Sequence, residues 1–187
     1  MELNKYLNYI DYNSYVIISL FLISIIVLIL NKITNKFTDK LLFSSYRSSL
    51  LNPLTYVRLI THTLGHQNWM HFYSNYLIIL ITGPMLEEKY GSINLLKMII
   101  ITSIVIGIVN SITSKNTSIR GSSGIVFMFI VLSSFVNVVN NKIPITLILI
   151  FLFYIVTEII HSTKKDNVSH LAHLLGALMG LIFGFYY

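Results

Sequence analysis

"SIRGSSGIVFMFIVL", residues 118–132, sets Ser122 and Ser123 between two glycines, where a polar loop runs into a long apolar stretch. The run continues to about residue 139. It does not alternate apolar and polar residues, as a strand of a membrane barrel would. Five more segments read the same way, at about 15–30, 69–86, 93–112, 143–160 and 168–187. A helix crossing the roughly 30 Å hydrocarbon layer needs about 20 mostly apolar residues. Backbone polar groups in lipid must be satisfied within the segment, so helices are the expected form. The sequence therefore predicts an all-α membrane protein, a bundle of six transmembrane helices forming a single domain over residues 1–187.

Composition agrees. The chain is 55% hydrophobic and 11% charged, with mean hydropathy +0.74, where soluble domains carry about a quarter charged residues. The first apolar segment does not read as a signal peptide: Glu2 and Asp11 precede it, and no small-x-small cleavage site follows. The absence of cysteine excludes disulfides, iron–sulfur clusters and thiolate metal sites. The net charge of +6 forms no basic stripe interleaved with aromatic residues, which points to lipid head groups rather than nucleic acid. Residues 31–68 form the one long connection. It holds partly apolar pieces, "FTDKLLFSSY" and "NPLTYVRLITHTL", so it is expected to contain short helices near the membrane interface.

Polar groups within a membrane are costly, and three clusters bear that cost. The second segment opens "HQNWMHFYSNY", with His71 and Asn75 four apart on one helical face. The fourth opens with Gly121-Ser122-Ser123-Gly124, and the sixth with "VSHLAHLLGALMG", containing His170 and His173. Short connections alternate helix direction, so segments two, four and six start on the same side. His71, Asn75, the serine pair and His173 should then share one depth. A hydroxyl beside an imidazole permits nucleophilic attack on a carbonyl, the ring taking the proton and returning it to the leaving amine. The oxyanion needs fixed donors, which Asn75, His71 and the Ser123 backbone N–H can supply. Gly176 and Gly180 share a face with His173, and small residues four apart admit another helix at close range.

These residues resemble the rhomboid family of intramembrane serine proteases, over about residues 57–180. "VRLITHTLGHQNWMHFYSNYL" is similar to the family's Arg…His-x3-His-x4-His-x3-Asn stretch, with Arg58, His62, His66, His71 and Asn75 in place. "GPMLEEKYGS" matches its second-helix ending through Glu87 and Gly91, "GSSG" its Gly-x-Ser-Gly motif, and "AHLLGALMG" its His-x2-Gly-x3-Gly signature. The resemblance implies a six-helix rhomboid-like bundle with a partly helical first loop. It implies Ser123 as nucleophile, His173 as base, and His71 and Asn75 in the oxyanion hole. Arg58, Glu87, Gly121, Gly124, Gly176 and Gly180 support the site. The implied activity is a serine endopeptidase that cleaves single-pass membrane proteins in or near the bilayer by a Ser–His dyad with no acidic third member. Neither cofactor nor metal is expected; the implied partners are transmembrane protein substrates and the lipid bilayer, and the implied location is the cell membrane. The chain departs from the pattern where Met128, Phe129, Ile130 and Val131 replace small residues, Phe127 a frequent tyrosine, and Val57 a frequent tryptophan.

Plainer readings stand beside these. Serine at the head of a helix is a favoured N-cap, and a histidine can simply hydrogen-bond across helices. His170 reads as an interfacial residue, Glu87 as a hydrogen-bonding group inside the bundle, Glu88 as solvated, and Glu158 as either interfacial or lining an entry to the site. His62 and His66 have metal-ligand spacing, but "HTLGH" lacks the glutamate of a metalloprotease motif. A non-cleaving rhomboid-like factor that binds membrane proteins is the alternative function, and a small transporter or metal carrier using His62, His66 and His71 is a third. Orientation is contested. Nine basic residues, among them Lys32, Arg47, Arg120 and Lys164, fall on the proposed active-site side, against Lys5, Lys89, Lys97 and Lys142 on the other. The positive-inside rule would turn that side to the cytoplasm, opposite to the family's usual orientation.

Overall fold

The computed structural model describes residues 13–113, 117–138, 142–162 and 169–187, which are helical apart from their connections and one isolated antiparallel bridge between Ser45 and Ile119. The first apolar segment forms α1 (Tyr15–Ile33). It stops where Asn35 and Lys36 take left-handed backbone angles, a conformation that breaks the helical ladder. The long connection contains α2 (Phe37–Leu42) and α3 (Pro53–Thr61), followed by a 3-10 turn at His62–Leu64. Helix α3 starts as its sequence dictates: the Asn52 side chain accepts from Leu54 N–H at 3.0 Å, and Pro53 occupies the first turn, where its missing N–H costs nothing.

Helix α4 (Trp69–Tyr90) is capped by Asn68, whose side chain accepts from His71 N–H at 2.9 Å. It runs four residues beyond the expected end at 86 and carries Pro84 within it. Gly91 alone separates it from α5 (Ser92–Thr113). Helix α6 (Ser123–Ser133) is shorter than the expected 122–139. Ser133 Oγ bonds back to Ile130 C=O at 2.7 Å, and the N–H groups of Ser134, Phe135, Val136 and Val138 bond three residues back in turns. Serine and asparagine side chains compete for the backbone in this way; Val139 lies outside the described residues. Helix α7 (Ile145–His161) begins directly after Pro144 and contains a π segment at Phe151–Ile155. Helix α8 (His170–Tyr186) ends the described chain, and the expected start at Val168 lies outside the described residues.

Helices α1, α4, α5, α6, α7 and α8 thus lie in the six apolar segments. By length and composition α1 and α5 are long and apolar enough to cross a membrane, while α6, α7 and α8 are shorter apolar helices. Exposed Leu22, Ile26, Ile81, Ile101, Phe153 and Ile182 leave the outer faces apolar.

Helix α6 is the centre of the bundle. At 11 residues it is about 16 Å long, and Ile125, Val126, Met128, Phe129, Val131 and Leu132 are all buried. A helix that is apolar all round belongs inside a core. It packs against α8, α4 and α5, while α1 packs on α4 and α3 on α5. The bulky residues 128–131 do not hold α8 away. A Cβ added to Gly176 would lie 2.0 Å from Gly124 O, and one on Gly180 2.7 Å from Met128 O. Opposite the serine end, buried Glu87 accepts from Val16 N–H at 3.0 Å, Ile17 N–H at 3.1 Å and Ser92 Oγ at 2.6 Å. A carboxylate there joins three helices and faces the positive end of the α1 dipole.

Candidate active site

The loop after α3 builds the floor beneath the serines. Gly121 N–H donates to His62 C=O at 2.9 Å, and Ile119 exchanges two backbone hydrogen bonds of 2.9 Å with Ser45. The Arg120 guanidinium pairs with buried Asp39 on α2. His62 Nδ1 meets Arg58 C=O at 3.0 Å and His66 Nδ1 meets Leu64 C=O at 3.2 Å. A carbonyl only accepts, so both rings carry hydrogen on Nδ1 and keep a bare Nε2. Burial disfavours charge on both rings, pushing His62 down to about 4 and His66 to about 3. These two histidines are therefore neutral struts tied to backbone. Arg58 is buried as well, its Nε donating to Leu54 C=O at 3.0 Å and its guanidinium lying over the Tyr46 ring at 4.5 Å.

The two serines divide sharply. Ser122 is buried, its Oγ donating to Thr63 C=O at 2.8 Å, with its N–H and Oγ 3.5 and 3.4 Å from His66 Nε2. Its hydroxyl is spent on the loop. Ser123, the first residue of α6, lines a cavity of about 1000 Å³ together with His71, Asn75, His170 and His173. The predicted convergence of the second, fourth and sixth segments is thus what the fold delivers.

Gly121 makes the turn possible. Its φ of +116° suits glycine, and a Cβ there would come within 2.6 Å of the His71 ring. Asn75 Nδ2 is buried with no hydrogen-bond partner among the described residues, 3.6 Å from the same point. An unpaired buried donor is expensive; on a cavity wall it is a donor waiting for an acceptor. Gly124 and Gly176 let α6 and α8 touch backbone to backbone, which sets the start of α6 against the first turns of α8.

His173 is held on two sides. Phe127 stacks on its ring, 4.4 Å between centroids and 10° from parallel. Its Nδ1 lies 2.6 Å from Glu158 Oε1, and His170 Nδ1 lies 2.6 Å from the same oxygen. The expectation of a histidine with no acidic partner therefore fails for this chain. Helix α7 brings its far end over the first turn of α8, and the π segment, which ends at buried Ile155, precedes buried Glu158. His170 likewise is not merely interfacial. The usable signal was Glu158 itself, a carboxylate in an apolar segment about four turns past Pro144. A carboxylate accepting from Nδ1–H fixes the tautomer that leaves Nε2 free to take a proton.

A helical bundle with apolar outer faces and a polar cavity at one end of its central helix describes a membrane-embedded class of protein. Residues 53–187 match the model of the rhomboid domain, and the chain belongs to the rhomboid family. It is 28% identical over 131 residues to a protein named rhomboid protease GlpG from Haemophilus influenzae, covering 68% of each chain. It is 26% identical over 140 residues to rhomboid-like protein 11, chloroplastic, from Arabidopsis thaliana, covering 67% of this chain and 50% of that one. The chain thus spans about half the length of the Arabidopsis relative.

Proposed function

We propose that this protein is a multi-pass intramembrane serine endopeptidase of the cell membrane, with six membrane-spanning helices, acting on single-pass membrane proteins. The observation that carries the reading is the difference between the serines: Ser122 is buried and bonded to the loop, whereas Ser123 faces a cavity it shares with an oriented imidazole. In this mechanism Ser123 Oγ attacks the substrate carbonyl while His173 Nε2 takes its proton. Glu158 holds the Nδ1–H and stabilises the imidazolium that forms. Asn75 Nδ2, His71 and the Ser123 N–H receive the oxyanion. His173 then protonates the leaving amine, and water from the cavity repeats the cycle on the acyl-enzyme.

The depth of the site follows from the short α6. In this reading α6, about 16 Å long, does not reach across a layer of about 30 Å, and a start below the surface on its Ser123 side would leave room for water above that residue. A substrate helix would have to unwind there to present a peptide bond.

The test is cleavage of a single-pass reporter in liposomes by wild type, Ser122→Ala, Ser123→Ala and His173→Ala. The expected result is cleavage by wild type and Ser122→Ala only. A folded wild type that binds several reporters and cuts none would instead favour the non-cleaving membrane-protein factor.

A further inference from the structure

The Glu158, His170 and His173 cluster has more ligating capacity than serine chemistry requires. One acid is enough to orient one histidine, yet a second imidazole converges on the same oxygen. One ligating atom from each of the three lies within 4.8 Å of the others, and both Nδ1 atoms are 2.6 Å from Glu158 Oε1. Their side chains are 11%, 12% and 11% exposed for His170, His173 and Glu158. Both histidines line the cavity, so an ion has a route in and water a place beside it.

We propose that Glu158, His170 and His173 form an inhibitory binding site for a divalent transition-metal ion of the Zn²⁺ type. The proposal rests on the serine-protease reading for its inhibitory consequence. Two imidazoles and a carboxylate are a donor set zinc favours over magnesium or calcium, with a water completing four-coordination. At bond lengths of about 2.0–2.1 Å, tetrahedral ligands sit roughly 3.3 Å apart, against the 2.6 Å of the metal-free hydrogen bonds. The cluster must open by several tenths of an ångström. The two histidines share α8, whereas Glu158 rides on the separate α7, which meets α8 through side chains, so α7 is the element that yields.

The consequence for catalysis follows from the tautomer. In the metal-free site each neutral ring donates its Nδ1–H to Glu158. A metal on Nδ1 takes that lone pair, and the ring's single proton moves through water to Nε2; a water ligand of the ion is released and the net charge of each ring is unchanged. His173 Nε2 is then a donor and can no longer accept a proton from Ser123 Oγ. Phe127, stacked flat on the ring, resists the flip that would exchange the two nitrogens. By contrast His62 and His66, which have metal-ligand spacing in the sequence, both direct Nδ1 to backbone carbonyls.

The experiment titrates the chelator-stripped full chain in detergent with Zn²⁺ against a chromophoric competitor, for wild type, Ser123→Ala, His170→Gln and Glu158→Gln. Cleavage is followed in parallel, and Co²⁺ absorption reports the coordination geometry. The expected result is one ion per chain in wild type and Ser123→Ala, and binding at least tenfold weaker in His170→Gln and Glu158→Gln with unchanged thermal midpoints. Zn²⁺ should stop wild-type cleavage reversibly, while His170→Gln keeps cleaving at the concentration that stops wild type. No stoichiometric binding by wild type, or equal binding by the two ligand variants, overturns the site. Intact binding in a wild type that cuts nothing upholds the site and defeats the protease reading and, with it, the inhibition; intact cleavage without binding does the reverse.

Discussion

Helix α8 meets α6 and α7 in two different ways. Against α6 the contact is backbone on backbone: Gly176 faces Gly124 O and Gly180 faces Met128 O, with no room for a Cβ. Against α7 it is made through side chains, chiefly the Glu158 carboxylate on His170 and His173, beneath which the Leu147 and Ile155 side chains cluster with Ala177. Much of α7 faces outward, with Leu152 and Phe153 exposed. A glycine seam has nothing to rotate or slide, so it fixes a distance, here the one between the start of α6 and the histidine-bearing turn of α8. A side-chain contact can adjust, so it tunes a state, here which nitrogen of His173 carries the proton. The two halves of one site are thus held by different physics and should fail differently.

The seam should break hardest. Gly176→Ala drives a methyl to 2.0 Å from a backbone oxygen, and overpacking that side chains cannot relieve costs about 3 kcal/mol. Chemical unfolding in mild detergent should show that loss, together with loss of reporter cleavage. Leu178→Ala, on the outward side of the same helix and 51% exposed, should stay within about 0.5 kcal/mol. Similar stabilities for the two variants would mean that α6 and α8 do not touch as tightly as the glycines require.

The α7 side should fail in rate before it fails in stability. Glu158→Gln removes the charge that accepts from Nδ1–H and that, in the proposed mechanism, stabilises the imidazolium. It should lower kcat about 100-fold, near the lower end of what general acid–base groups contribute, with KM and the unfolding midpoint little changed. Glu158→Asp should restore part of the rate. If KM rises and kcat does not fall, the carboxylate is shaping substrate binding and not the base.

What the sequence disclosed follows the same division. The seam was legible because small residues four apart on an apolar helix have few other uses, and the serine and histidine motifs flank it. The helices of the six apolar segments were legible from hydropathy. Their ends were not: α6 stops at Ser133, whose hydroxyl bonds back to Ile130 C=O as the chain passes into tighter turns, and α4 continues past residue 86, where Glu87 bonds inside the bundle. The partnership of Glu158 with His173 was hidden for a different reason. It depends on how α7 rotates about its axis, and the π segment at Phe151–Ile155 alters the phase that a regular helix would give. The distinction between Ser122 and Ser123 came only from family resemblance, since either hydroxyl fits the composition of the turn.

The floor of the site supplies a pH test. His62 and His66 fall to about 4 and about 3 in the folded chain from an unfolded value near 6.5. Below that value the unfolded chain binds protons the folded one refuses, so their contribution is complete at neutral pH and is lost as pH falls from 6.5 toward 4. Between pH 7 and 5.5 the two rings together should cost about 2 kcal/mol. A thermal midpoint that falls over that range in wild type should fall about half as steeply in His66→Gln. A flat wild-type profile would mean that water reaches these rings and the loop is not sealed beneath the serines.

The smallest effect carries the finest distinction. Ser122→Ala removes the Oγ bond to Thr63 C=O, a net loss of about 1 kcal/mol, and should leave cleavage within a few-fold of wild type. Ser123→Ala should do the opposite, ending cleavage while the unfolding midpoint stays in place, because Ser123 lines the cavity. The pair of variants separates two neighbouring atoms by what each one bonds to. A Ser122→Ala variant that is stable but inactive would exchange the roles of the two serines. It would require the turn at Gly121 to swing by one residue, which the His62 carbonyl bonded to Gly121 N–H opposes.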